Sequence, residues 1–166
     1  MATLLSEHFT PMQLSPNFSL EELTASATAK RLKIDNTPQP YVRANLGRLA
    51  VALERIRELA GNVPLHIKSG YRASAVNRAV GGSLTSYHIL GLAADFDPPP
   101  GMTHDQLQHA IADSGMDFDL VLEERAKDGG HWLHFQLARP GDKPRRRVLD
   151  AELALTGGAI GRITAG

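Results

Sequence analysis

The sequence predicts an α+β domain in which helices cover a mainly antiparallel sheet. Three observations carry that expectation. An apolar stripe repeats at helical spacing from Val42 to Ala60. Short apolar runs, bounded by glycine or proline, read as strands. Asp128-Gly129-Gly130 reads as a hairpin turn between two of those runs. The chain has 166 residues, 42% hydrophobic and 22% charged, which suits one domain around one core.

Residues 1–16 show no strong periodicity and are read as an N-terminal arm to a domain spanning 17–150. Ser19 followed by Glu22 has the form of a capping box and predicts a helix that runs to about Ala29. Asn36, Pro38 and Pro40 make the next segment a turn. The long helix follows, with Val42, Leu46, Leu49, Leu53, Ile56 and Ala60 on one face, Arg43, Arg48, Arg55 and Arg57 largely off it, and Gly61 as its stop. Pro64 opens a short strand over 65–68, and Ser69-Gly70-Tyr71-Arg72 reads as a turn. A short helix is expected over 74–80, ended by Gly81-Gly82, and a buried strand over 92–97, stopped by Pro98, Pro99 and Pro100. Thr103 with Gln106 is a second capping box, opening a helix to about Ser114. Strands are expected over 118–124 and 132–137, then a short helix or strand beyond the basic segment after Pro140. Residues 151–166, Gly-rich from Gly157, read as a tail.

Composition excludes several kinds of chemistry. Eighteen basic and 18 acidic residues cancel, which argues against nucleic-acid or anionic-membrane partners. With no cysteine there is no disulfide, thiolate metal site or cysteine nucleophile, so any metal must be held by nitrogen and oxygen. The N-terminus lacks a basic region followed by an apolar run, so no secretory signal is expected, and no apolar stretch reaches the ~20 residues that span a bilayer. A cytoplasmically made monomer is the expectation. The run Arg145-Arg146-Arg147 reads first as a solvated surface, with a weaker reading as a substrate contact.

The chemistry-bearing residues are His88 and Asp95, seven apart in SYHILGLAADF, and His134 in HWLHFQ. Two imidazoles and one carboxylate are a three-ligand set that leaves a zinc position open for water, the mark of a catalytic rather than a structural site. Asp95 lies in an otherwise apolar strand, where an acid is costly unless paired or metal-bound. His8, His66, His104 and His109 lack a partner motif and read as structural or exposed.

Taken together, SGYRASAVNRAVGGSLTSYHILGLAADF and LEERAKDGGHWLHFQ resemble the zinc D-alanyl-D-alanine carboxypeptidases, whose wider group includes L-alanyl-D-glutamate endopeptidases of bacteriophage lysis and the hedgehog fold. The likeness runs from about Leu14 to Leu149, and NFSLEELTASATAKRLKIDNTP resembles a compact, often phage-associated branch. The resemblance implies one zinc ion held by His88, Asp95 and His134. It implies that Arg72 holds a substrate carboxylate or carbonyl, and that Ser86 supports the ligand loop or touches substrate. An acid near His134 would serve as general base and acid.

Some relatives carry that acid three residues before the last histidine, where this chain has His131, read here as a substrate-side donor or a plain hairpin residue. Counting six residues back reaches Asp128, at the expected hairpin tip. The strand DLVLEE resembles the family strand that ends in the catalytic acid, which favours Glu124 over Glu123 and Asp128. Four extra hairpin residues add two rungs, and an even extension keeps Glu124 on the face of His134. The expected activity is zinc-dependent hydrolysis of peptide bonds in bacterial peptidoglycan, by a carboxypeptidase or endopeptidase used in lysis or wall remodelling. The alternative is a non-catalytic wall- or partner-binding module of the same fold with structural zinc.

Overall fold

The computed structural model describes residues 11–126 and 129–150. Among the described residues, five α-helices precede or interleave a five-stranded sheet. The first, α1 (Leu20–Thr24), starts where Ser19 accepts a hydrogen bond from the Glu22 amide. The helix expected from Ser19 to about Ala29 is two helices. Ala25 is extended (ψ 132°), and Ser26 caps a second helix, α2 (Ala27–Leu32), through the Ala29 amide. A serine that can bond a nearby amide in a non-helical geometry breaks a run that composition alone would continue.

The long helix α3 (Pro40–Leu59) has proline in its first turn, where a missing N–H costs nothing. Its whole predicted stripe, Val42 to Ala60, is buried. Gly61 follows at φ +86°. Strand β1 (His66–Ser69) and helix α4 (Ser74–Ala79) come next, then a 3-10 turn over Tyr87–Leu90 that ends in Gly91. Gly91 sits at φ +67°, and a Cβ there would meet Val42 Cγ1 at 2.9 Å, so the turn both reverses its hand and lies flat on α3 because it has no side chain. Strand β2 (Ala93–Asp97) leads to α5 (His104–Asp113), where both halves of the Thr103–Gln106 capping box form.

Strands β3 (Leu120–Arg125), β4 (His131–Gln136) and β5 (Arg147–Leu149) complete the sheet, in the order β1-β2-β4-β3-β5. All neighbours are antiparallel except β3 and β5, which run parallel. The segment left open as helix or strand after Pro140 is therefore a strand. The arm is described only from residue 11; there, Gln13 bridges Ser19 and the Ser15 hydroxyl donates to Glu54 at 2.7 Å. The tail, 151–166, lies outside the described residues.

Side-chain alternation divides the sheet into two faces. Phe96, Val121, Leu133 and Phe135 point to one side and join Leu46, Leu49, Leu53 and Ile56 of α3 with Leu107 and Ile111 of α5 in a single core. Each such buried side chain stabilises the fold by about 1.5–3 kcal/mol relative to exposure. Asp95, Leu122, Glu124, Trp132, His134 and Gln136 belong to the other face, which the helices leave open as a cleft.

Candidate metal centre and active site

Asp95 and His134 are direct partners across β2 and β4, so sheet register alone places carboxylate beside imidazole. His134 Nδ1 lies 2.8 Å from Asp95 Oδ1. His88 arrives from the 3-10 turn, which Ser86 caps by accepting from the His88 amide at 3.4 Å. Its Nε2 is 3.2 Å from the same Asp95 oxygen, and its Nδ1 is 2.6 Å from the Gly70 carbonyl. One ligand atom from each residue lies within 4.8 Å of the other two. His88 and Asp95 are buried, and His134 is nearly so.

This donor set fits a divalent cation. A carbonyl only accepts, so the proton of a neutral His88 sits on Nδ1, and its Nε2 turns a bare lone pair toward an ionised carboxylate. Two imidazole nitrogens then converge on one oxygen, an arrangement that a cation between them relieves. The Gly70 contact is also the kind of outer hydrogen bond that fixes the tautomer of a metal-binding histidine. Burial alone would raise the Asp95 carboxyl, but the charges and hydrogen bonds that His88 and His134 offer when protonated outweigh it and hold Asp95 well below the usual carboxylate range. Burial opposes protonation of His134, and the hydrogen bond and charge of Asp95, with the charge of Glu124, raise it overall.

Around the cluster opens a cleft of about 600 Å³, lined among others by Arg72, Ser86, Glu124 and Trp132. Arg72 follows β1 and directs Nη1 to within 4.0 Å of Asp95 Oδ2. Burial lowers its pKa, against the charges of Asp95 and Glu124, yet a guanidinium stays charged under all working conditions. Its Nε is buried with no hydrogen-bond partner among the described residues.

Glu124 shares the cluster's face, since Leu122 pairs with His134 and Glu124 with Trp132. The Trp132 indole donates to Glu124 Oε2 at 2.7 Å. Glu123 points to the opposite face, where it meets Arg125 at 3.1 Å and His131 at 2.6 Å. Asp128 lies outside the described residues. The structure thus brings Arg72, Ser86, His88, Asp95, Glu124 and His134 to one cleft, and does not bring His131 there. Three residues from His134, an odd step along β4, His131 faces away and stacks on His104 with ring centroids 3.6 Å apart. Two features escape a reading of the sequence: the Gly70 carbonyl that orients His88, and the Trp132 bond to Glu124.

Fold and site together have the layout of a metal-dependent hydrolase, with an open-sided His–Asp–His cluster and a further carboxylate beside it. The chain belongs to the Peptidase M15 family, whose model matches residues 16–125, and that family is one of zinc-dependent peptidases. The match takes in Arg72, Ser86, His88, Asp95 and Glu124 and stops before β4, so His134 enters the site by geometry. A comparison with curated proteins finds no match. Among the described residues no helix is long and apolar enough to cross a membrane.

Proposed function

We propose that this chain is a zinc metallopeptidase that hydrolyses amide bonds in the peptide part of bacterial peptidoglycan. The observation that carries the proposal is the convergence of His88, Asp95 and His134 on one point of a cleft that also presents Glu124. His88, Asp95 and His134 would hold the ion, which when bound lowers the pKa of a water to about 7 and polarises a carbonyl.

The remaining work falls to the protein. Glu124, on the same face and held by Trp132, accepts the proton of the attacking water and returns it to the leaving amine. Arg72, deep in the cleft with an unused Nε, takes a carboxylate or carbonyl of the substrate and sets its register. Ser86 keeps the His88 turn in place. The resemblance to D-alanyl-D-alanine carboxypeptidases and phage L-alanyl-D-glutamate endopeptidases supports peptidoglycan as substrate and a role in lysis or wall remodelling.

The test is mass spectrometry of purified peptidoglycan digested by the zinc-loaded chain. New fragments whose masses sum to the parent muropeptide plus one water are expected from the wild type and are absent with Glu124→Gln. A zinc-loaded wild type that releases no new amino group overturns the proposal.

A further inference from the structure

The cleft continues past the His88–Asp95–His134 cluster to a second end lined by Leu120, Gln136, Arg145 and Arg147. The three arginines of the 145–147 run part ways there. Arg145 is clamped on buried Asp119, donating from Nε at 2.8 Å and from Nη2, while Asp119 also accepts from Gln136. Arg146, at φ +51°, turns to the other side and donates to the Ala112 and Met116 carbonyls below α5. Arg147 has neither fate. Its backbone amide bonds the Asp119 carbonyl, but among the described residues its guanidinium has no acidic or carbonyl partner.

The register of β5 fixes where that guanidinium points. Arg147 pairs with Leu120, which pairs with Gln136, and Gln136 lies two residues from His134 on the same face of β4. Val148, the next residue, packs on the core instead. Two strand spacings across and two residues along put the Arg147 Cα roughly 12 Å from that of His134, and an extended peptide covers about 3.3 Å per residue. The unbalanced cation therefore lies within a few peptide residues of the cluster, along one open groove.

We propose that Arg147 is a specificity-determining residue: an anion subsite that takes a carboxylate borne by the substrate peptide one to three residues from the scissile amide. Its neighbour Arg145, neutralised by Asp119, walls the subsite and positions the β5 entry. The inference rests on the hydrolase reading and adds to it the substrate class, an anionic peptide. A guanidinium suits this task because its planar fork pairs with a carboxylate through two parallel hydrogen bonds.

The experiment uses pairs of synthetic peptides with one fixed scissile amide. Within each pair a carboxylate one, two or three residues away, on either side, is free or converted to the carboxamide. For at least one pair, wild type is expected to favour the acid by about tenfold in kcat/KM, and Arg147→Gln to bring that ratio close to one, with Arg147→Lys retaining part of it. Calorimetric binding of the same pairs to zinc-loaded Glu124→Gln, with and without Arg147→Gln, separates this inference from the reading beneath it. An acid preference in binding that disappears with Arg147 upholds the subsite even where no peptide is cut. Equal treatment of acid and amide in every pair, or a preference that survives Arg147→Gln, overturns it.

Discussion

The indole of Trp132 donates to Glu124 Oε2 at 2.7 Å from the directly opposite position on the neighbouring strand. The carboxylate proposed as proton carrier is thus held by the side chain across the β3–β4 pair. Hydrogen bonds to charged groups contribute about 1.5–3 kcal/mol, and one that sets the direction of a general base acts on turnover more than on binding. Trp132→Phe keeps the ring and loses the donor. It is expected to lower kcat at least tenfold, with KM and zinc content near those of the wild type, as steady-state kinetics and metal analysis on one preparation would show.

His131 leads to the opposite expectation. Its ring lies on the far face of β4, bonded to Glu123 and stacked on His104. His131→Gln is expected to leave kcat/KM within about twofold of wild type while lowering the melting temperature by a few degrees, because Glu123, nearly buried, loses a partner. A large loss of kcat with an unchanged melting temperature would place this residue in the chemistry after all.

Gly70 supports the site through its backbone. Its carbonyl accepts from His88, and a Cβ at this position would fall on the Leu23 carbonyl oxygen, with Leu23 Cα at 3.1 Å. Neither atom belongs to a flexible side chain, so Gly70→Ala must push β1 away from α1. A loss of about 2–4 kcal/mol in chemical denaturation is expected, together with weaker zinc binding as His88 loses its tether.

Acid stability tests the Asp119–Arg145 clamp. Hydrogen bonds from Arg145, against the opposing effect of burial and aided by Gln136, hold the Asp119 carboxyl below its ordinary range. A group whose folded pKa is depressed stabilises the fold above its unfolded value, about 3.9, and loses that contribution as pH falls through the folded value. Asp119→Asn is therefore expected to melt below wild type at pH 7 and to approach it at pH 3. Thermal melts at the two pH values provide the comparison, and a constant gap would contradict the clamp.

Much of the fold was legible because its signals are local. The α3 stripe, the Thr103–Gln106 box and the hairpin glycines each act within a turn or two of chain, and each appears as expected. The break at Ala25 was not, since Ser26 competes for a helix that its neighbours would otherwise extend. Within the site, the likeness of DLVLEE to a family strand favoured Glu124 over Glu123, and the period of two along β3 and β4 puts Glu124 on the cleft face and takes His131 off it. The Gly70 contact, the Trp132 bond and the fate of each arginine in the 145–147 run depend on which segments pack together. No pattern within one segment encodes that.

The central claim is that His88, Asp95 and His134 share one divalent ion. Zinc per chain, measured by native mass spectrometry after loading and exhaustive buffer exchange, tests it most directly. The account predicts one zinc for the wild type and for Glu124→Gln, and near zero for His88→Ala, Asp95→Ala and His134→Ala, each still folded by circular dichroism. A wild type that retains no zinc, or a folded His134→Ala that retains a full equivalent, would contradict it.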